Sequence, residues 1–481
     1  MFKLSKRLFS TLKFKRGDFA RLVDSDITHF ESIVGKENVK TTELDLYNTD
    51  WMKSFKGNST CVLLPQTAQQ VSAILKHCFH RYLAVVPQSG NTGLVGASVP
   101  VFDEIILSTS KLRNNFNLDL SSGILECDSG FILEELESRL APQGYIMPID
   151  LGAKGSCLIG GNVATAAGGI RFIRYGSMHS NVLGLQVALA DQNGTLLELG
   201  TGLRKDNSGL HSHHLFVGSE GQLGIITGIK MLVAPKPTSI CSMWLGTDSF
   251  EKCQKILREA KTKLGEVLSA FEFLDAETLR CLKENENLDK PLETASKYNL
   301  LIETSGSNPV HDMEKVDGFL SYCLENELAK DGILAKNQTE ASYLWKLRET
   351  ATLALMHDGY VYKNDVSLPL KYYYELTDVV RERLGDKAIR VINYGHLGDG
   401  NAHLNITTKK FSQEVYDLLY PFIYKWVTEK GGSISAEHGI GQLKKPYIHL
   451  GKHEKELSLN KELKKIFDPK GILNPYKMID L

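Results

Sequence analysis

The segment Asn393-Tyr-Gly-His-Leu-Gly-Asp-Gly-Asn-Ala-His-Leu-Asn405 sets His396 and His403 on either side of the triplet Gly398-Asp399-Gly400. Residues 389–392 and 403–407 are β-like runs, and the triplet offers the positive-φ residues of a tight reversal, so a hairpin with facing imidazoles is expected. Side chains two apart on a strand share a face, which puts Asn405 beside His403. Two neutral nitrogen donors and an amide converging on one spot make the start of a metal site. A third ligand has to come from elsewhere. Ser433-Ile-Ser-Ala-Glu-His-Gly-Ile-Gly441 offers Glu437 as a hard oxygen donor and His438 as a base of suitable pKa, in a loop pinned by glycines. His396, His403 and Glu437 would then form a two-histidine, one-carboxylate centre. Taken singly, either histidine is an ordinary turn or partly buried residue. The pair around one turn, with a Glu-His dipeptide downstream, is what points to a metal.

Three stretches of small residues precede this segment. Pro87-Gln-Ser-Gly-Asn-Thr-Gly-Leu-Val-Gly96 follows a helical pattern over 65–82 and a β-like run over 83–86. Its Gly90 and Gly93 let backbone N–H groups approach an anion, and Ser89, Asn91 and Thr92 add side-chain donors, the ingredients of a diphosphate cradle. Gly160-Gly-Asn-Val-Ala-Thr-Ala-Ala-Gly-Gly169 is nearly free of large side chains, so its backbone can lie against a flat ligand. Gly218-Ser-Glu-Gly-Gln-Leu-Gly-Ile-Ile-Thr227 is the third. A structural turn or tight helix–strand packing would produce similar stretches one at a time; three of them within an α/β pattern point to one extended ligand. Neither G-x-G-x-x-G nor G-x-x-x-x-G-K-[ST] occurs, so a nicotinamide Rossmann enzyme and a P-loop NTPase have no support.

The elements that must position these residues follow from hydrophobic period. Strands are expected over 104–108, 124–127, 182–190 and 195–199, the last two joined at Asn193-Gly194, and a helix over 131–140. Between 236 and 388 the pattern is α+β: helices over 250–264, 312–326 and 342–357, and strands over 300–304 and 361–366. A basic helix and Phe467-Asp-Pro-Lys-Gly-Ile-Leu-Asn-Pro475 close the chain.

At 481 residues the chain exceeds one ordinary core, so two or three domains are expected. A net charge of -1 and the lack of a basic stripe argue against nucleic acid. No window approaches the roughly eighteen uninterrupted apolar residues of a membrane span. The 8 cysteines include no Cys-x-x-Cys, which disfavours a zinc ribbon and a disulfide framework. Lys3, Lys6, Arg7, Lys13, Lys15 and Arg16 precede the first acid, Asp18, and alternate with Phe, Leu, Ser and Thr. Residues 1–20 thus resemble a mitochondrial transit peptide.

The three small-residue stretches resemble the FAD-binding domain of the vanillyl-alcohol-oxidase type of flavoprotein. Phe271-Glu-Phe-Leu-Asp275, Tyr362-Lys-Asn-Asp-Val-Ser-Leu-Pro369, Gly395-His-Leu-Gly-Asp-Gly-Asn401 and Ser435-Ala-Glu-His-Gly-Ile-Gly441 are similar to its D-2-hydroxyacid dehydrogenase branch. The resemblance covers essentially the whole mature chain. It implies an α+β fold with a two-part FAD-binding domain over 45–236, a substrate cap with the metal site over 237–455, and a closing segment over 456–481 that packs back on the flavin domain. The flavin-binding residues it implies begin with Pro87, Ser89, Gly90, Asn91, Thr92 and Gly93. Gly160, Gly161, Asn162, Thr165, Gly168 and Gly169 follow, and then Glu220, Gly221, Gly224, Ile225 and Ile226. Some members attach the flavin through a histidine in the first loop; residues 87–96 hold none, so non-covalent FAD is implied.

The resemblance further implies Zn²⁺ on His396, His403 and Glu437, and substrate carboxylates on Arg348, Thr352, Lys363 and Asn405. A guanidinium fork suits a carboxylate and an ammonium adds a second point charge. Judged alone, Arg348 would be an ordinary solvated residue of its helix. His438 is expected to bind substrate and act as general base. The expected reaction is oxidation of D-2-hydroxyglutarate to 2-oxoglutarate in the mitochondrial matrix, with electron-transfer flavoprotein as acceptor; D-lactate or another D-2-hydroxyacid is the alternative substrate.

Overall fold

Buried backbone has to find its hydrogen bonds within the chain, and among the described residues it finds them in helices and in four sheets. The computed structural model describes residues 14–481. Of the expected presequence, residues 1–13 lie outside the described residues. Beyond them, Arg16 Nε donates to Asp103 Oδ1 at 2.6 Å and the Gly17 N–H donates to Tyr476 Oη at 2.9 Å.

The first αβ unit forms because one helix face is apolar and both ends are capped. In Ala68–Arg81, Val71, Ile74, Leu75 and Cys78 are buried, the Thr67 hydroxyl accepts the Gln70 N–H, and Tyr82 closes the helix in the left-handed region. The strand that follows, Val85–Gln88, runs parallel to Ile105–Ser108, which runs parallel to Val62–Leu63. A second, antiparallel sheet has the order Phe116–Asp119, Ile124–Asp128, Ile225–Leu232, Val182–Ala188, Leu196–Leu199. The turn expected at Asn193-Gly194 is wider than a two-residue hairpin. The strands stop at Ala188 and resume at Leu196, because Asp191 Oδ1 accepts the N–H groups of Asn193 and Thr195 and builds a side-chain turn between them.

The chain from 236 onward forms a seven-stranded antiparallel sheet from β1 (Ser239–Thr247), β2 (Leu268–Asp275), β3 (Tyr298–Gly306), β4 (Asp331–Leu334), β5 (Tyr360–Ser367), β6 (Arg390–His396) and β7 (Asn401–Thr408), in the order β4-β1-β3-β2-β6-β7-β5. Alternation splits it into two faces. Phe271, Phe273, Tyr362, Val366, Leu404 and Ile406 belong to the larger core, packed with residues of the helices Phe250–Lys263 and Glu375–Leu384. The other face meets Ala276–Glu286 and Gln338–Ala354, whose Leu344, Leu347, Ala351 and Ala354 lie in one apolar cluster with Leu274 and Ile392.

The β6–β7 reversal is the expected hairpin, with a different division of labour among its turn residues. Of Gly398, Asp399 and Gly400, Gly400 alone has a positive φ, +84°. Gly398 packs closely: a Cβ there would stand 2.7 Å from Ile173 Cδ1, so the tip of the Ile173 side chain would have to move.

The C-terminal helix Glu454–Phe467 leads back to the first sheet, where Leu473 bridges Val85 in parallel. Lys464, fully buried, fastens this return by donating to Asp468 Oδ2 at 2.7 Å, the Gln222 carbonyl at 2.7 Å and the Leu473 carbonyl at 2.6 Å. Removing one member of a buried ion pair costs about 3–5 kcal/mol. Lys464→Met is therefore expected to lower the melting temperature clearly in a thermal melt; a melt superimposable on that of the unaltered chain would remove this anchor.

Candidate functional site

Strand register sets the polar residues side by side. Glu272 lies opposite His396, Tyr394 and Asp365 each lie opposite His403, and Lys363 lies opposite Asn405. Opposed residues share a face, so β2, β6, β7 and β5 together carry one polar patch beside the apolar cluster of the Gln338–Ala354 helix.

Glu437 reaches this patch from the 433–441 loop. Its Oε1 is 3.8 Å from Nε2 of His396, 3.6 Å from Nε2 of His403 and 3.6 Å from Nε2 of His438. The far nitrogens face carboxylates. His396 Nδ1 is 2.7 Å from Glu272 Oε1, while Asp365 lies 3.9 Å from His403 Nδ1 and 3.7 Å from His438 Nδ1. A carboxylate behind an imidazole orients the ring and leaves Nε2 to bind, the usual support of a histidine that ligates a metal.

Four ligand atoms that all lie within 4.8 Å of one another come from Asp365, His403, Glu437 and His438. His396, an expected ligand, stands outside that set, and Asp365 was not expected. Asp365 is already engaged. Its Oδ2 accepts the N–H groups of Ala436, Glu437 and His438 at 3.1, 3.1 and 2.9 Å, and its Oδ1 accepts from Asn401 Nδ2 at 2.8 Å. It clamps the loop that delivers Glu437.

The charges match a cation site. Burial pushes the His403 imidazole down to about 3, so its lone pair is available. Burial also opposes charge on His396, but Glu272 and Glu437 outweigh it and raise that imidazole to about 10. Against the same burial, hydrogen bonding to His396 holds the Glu437 carboxyl well below its usual range. The His396 ring lies between two carboxylates, Glu272 at Nδ1 and Glu437 at Nε2, and a divalent cation at Nε2 would displace the proton there.

The expected substrate residues border the patch. Arg348 is buried rather than solvated; its Nε donates to Glu272 Oε2 at 2.6 Å and its guanidinium lies 5.0 Å from the centre of the Tyr394 ring. Thr352 Oγ1 is 2.7 Å from Tyr394 Oη, and Asn405 Nδ2 donates to the His403 carbonyl at 3.0 Å. Lys363 stands over the Trp51 ring at 5.6 Å, with no carboxylate within ion-pair distance among the described residues. Burial lowers its ammonium to about 8.

The small-residue loops meet at the same place. Gly169 N–H donates to Glu437 Oε2 at 3.0 Å, and the Glu220 carboxylate accepts the N–H groups of Ile440 and Gly441 at 2.6 and 2.8 Å. A Cβ on Gly161 would stand 2.8 Å from Ser89 Cβ, so these two loops touch because Gly161 has no side chain. Asn162 Oδ1 and Ser129 Oγ are buried there without a partner among the described residues. Buried polar atoms left this way fit a ligand that supplies the missing bonds, as a dinucleotide would. Other expected side chains are used within the protein. Asn91 Nδ2 donates to the Leu46 and Thr49 carbonyls, Thr165 Oγ1 to the Gly161 carbonyl, and Ile225 and Ile226 enter two separate cores.

Sequence reasoning missed Glu272, Asp365 and Tyr394 as members of the site. The available signal was a carboxylate inside an otherwise buried strand, as in Phe271-Glu-Phe273 and Asn364-Asp-Val366, which is costly unless it is paired.

Comparison with known proteins places this arrangement. Residues 236–478 match the family described as FAD linked oxidases, C-terminal domain, and residues 59–200 match an FAD binding domain. The chain belongs to the FAD-linked oxidases. It is 47% identical to the mitochondrial D-2-hydroxyglutarate dehydrogenase of Arabidopsis thaliana over 96% of this chain and 82% of that one. It is 43% identical to a putative mitochondrial D-lactate dehydrogenase of Schizosaccharomyces pombe, over 96% and 91% of the two chains. The crystal structure of p-cresol methylhydroxylase with substrate bound superposes with a TM-score of 0.73 at 14% identity, covering 95% of this chain and 96% of that one. The fold of this FAD-linked oxidase is therefore the α+β fold of the vanillyl-alcohol-oxidase type, as expected.

Glu272 holds both His396 and Arg348. Glu272→Gln in this FAD-linked oxidase is expected to weaken metal binding about 10- to 100-fold, the usual effect of losing a carboxylate behind a metal ligand. Metal titration of the flavin-loaded variant measures this, and unaltered affinity would take Glu272 out of the site.

Proposed function

We propose that this chain is a mitochondrial flavoenzyme that oxidises D-2-hydroxyglutarate to 2-oxoglutarate and passes the electrons to electron-transfer flavoprotein. The observation that carries the reading is the convergence of three imidazoles on Glu437, those of His396 and His403 from the sheet and of His438 from the 433–441 loop, with Arg348 and Lys363 alongside. The identity with dehydrogenases of D-2-hydroxyglutarate, named as mitochondrial, supports substrate and compartment. In this reading residues 1–20 are the presequence to the matrix, 45–236 hold non-covalent FAD, 237–455 form the cap and 456–481 close against the flavin domain.

When bound, FAD supplies the acceptor for the hydride that leaves the α-carbon, and a divalent ion, Zn²⁺, supplies Lewis acidity toward the α-hydroxyl and α-carboxylate. His396, His403 and Glu437 would hold the ion, His396 being oriented by Glu272 at its Nδ1. His438, steadied by Asp365, takes the hydroxyl proton at Nε2. Arg348 has guanidinium donors beyond the Nε spent on Glu272, and with Thr352 and Asn405 it fixes a substrate carboxylate. Lys363 opposes Asn405, two positions along β7 from His403 and so about 7 Å away. That spacing separates the reacting end from a distal carboxylate, which D-lactate lacks.

Anaerobic bleaching of the flavin tests this. D-2-hydroxyglutarate is expected to bleach the band, the L-enantiomer to leave it, and electron-transfer flavoprotein to restore it. His438→Gln is expected to slow bleaching about 10²-fold or more with flavin retained. Lys363→Met should raise the half-saturating D-2-hydroxyglutarate concentration about 10- to 100-fold, the weight of one charged hydrogen bond, without altering the response to D-lactate. Bleaching by D-lactate alone, or equal effects of Lys363→Met on both acids, would overturn the substrate assignment.

A further inference from the structure

A second group of histidines lies apart from the site on the seven-stranded sheet. His211, His213 and His214 each present one ring nitrogen, and these nitrogens all lie within 4.8 Å of one another. They sit at the end of the exposed 203–211 segment and in the single helical turn Ser212–Leu215. The rings of His213 and His214 are 4.2 Å apart, and those of His211 and His214 are stacked at 5.9 Å. A fourth imidazole, His179, stands at the edge with its Nδ1 3.3 Å from Nδ1 of His214.

Two observations set this group apart from a chance surface cluster. His213 is only 6% exposed, and its Nδ1 is buried with no hydrogen-bond partner among the described residues. A buried donor or acceptor left without a partner is a cost that a bound ligand removes. The rings are also crowded with their own kind, which favours neutral imidazoles. Burial, with His214 and His211 adding to it, takes His213 down to about 4, and burial lowers His214 and His179 as well. Neutral imidazoles converging from one short segment offer lone pairs to a cation.

We propose that His211, His213 and His214 form a second metal site, a three-imidazole site for Zn²⁺ or a similar late first-row divalent ion. Nitrogen-only ligation excludes Ca²⁺ and Mg²⁺, which require oxygen donors. Three histidines leave a fourth tetrahedral position, which water or His179 fills. The ion ties the 203–211 segment to the body of the flavin-binding half. The four-residue turn that carries His213 and His214 runs directly into Phe216, Val217 and the Gly218–Gly221 loop, whose Glu220 grips Ile440 and Gly441. This inference does not rest on the function proposed above, and the two sites share no residue.

The test separates them. The flavin-loaded full chain is stripped with chelator and titrated with Co²⁺, read by its visible d–d absorption, and with Zn²⁺, read by metal analysis. A His396→Ala, His403→Ala variant is expected to keep one equivalent of Co²⁺ per chain with a tetrahedral spectrum. Adding His211→Ala and His214→Ala should abolish that equivalent. The single His211→Ala change, at an exposed position, should weaken it tenfold or more, with circular dichroism and flavin content unaltered. No stoichiometric Co²⁺ in the His396→Ala, His403→Ala variant, binding no tighter than that of free imidazole, or binding that survives His211→Ala with His214→Ala would each overturn the second site. An unaltered chain that binds one equivalent, lost with His211 and His214, would uphold this site and overturn the metal centre at His396, His403 and Glu437.

Discussion

Asp365 is a buried carboxylate on β5, the edge strand of the seven-stranded sheet, and three consecutive backbone N–H groups, those of Ala436, Glu437 and His438, converge on one of its oxygens. Burial opposes its charge, but the neighbouring His438 imidazole and Lys444, whose Nζ lies 3.6 Å away, outweigh it and keep the carboxyl ionised, with His403 and the His438 N–H adding to them. The convergence also fixes where the loop lies. With the Gly169 N–H on Glu437 and Glu220 on the Ile440 and Gly441 N–H groups, this clamp sets Glu437 over β6 and β7 and His438 opposite His403, the two rings being stacked at 5.7 Å. A loop supplies the reactive groups, and a strand carboxylate makes that loop rigid.

Around this clamp the charges are arranged in two layers. The outer layer, Asp365 and Glu272, stands behind the imidazoles; the inner carboxylate, Glu437, stands in front of them. Glu272 also holds Arg348, so His396 and Arg348 are joined through one buried acid. Buried polar networks of this kind are costly when half satisfied, and here each acid has a partner on every side that faces the protein. Lys363 is the exception. Its half-buried ammonium stands over the Trp51 ring with no acid within ion-pair distance among the described residues.

The site was legible in the sequence where its chemistry is local. His396, His403, Glu437 and His438 stood out because glycines and a turn flank them within short segments. The three small-residue stretches stood out for the same reason, and the helix at 68–81 was readable from the spacing of Val71, Ile74, Leu75 and Cys78. What could not be read was pairing at long range. Arg348 looked like a surface residue because its partner is 76 positions away, on a strand that only folding brings beneath the helix. Asp365 is 72 positions from Glu437. Strand register, which decides that Lys363 meets Asn405, is a property of the folded sheet. The roles within the β6–β7 turn were also hidden, since the composition Gly-Asp-Gly does not say that Gly398 serves close approach and Gly400 the positive φ.

In the proposed function the ion sits among His396, His403 and Glu437, leaving His438 outside the coordination sphere to handle the proton. Anomalous diffraction at the zinc edge, from crystals of the flavin-loaded enzyme grown with Zn²⁺, tests it most directly. The expected result is a peak on this sheet face about 2.0–2.2 Å from Nε2 of His396, Nε2 of His403 and a carboxylate oxygen of Glu437, with His438 beyond bonding distance. A peak ligated by Asp365 and His438 without His396, or no peak on this face, would contradict it.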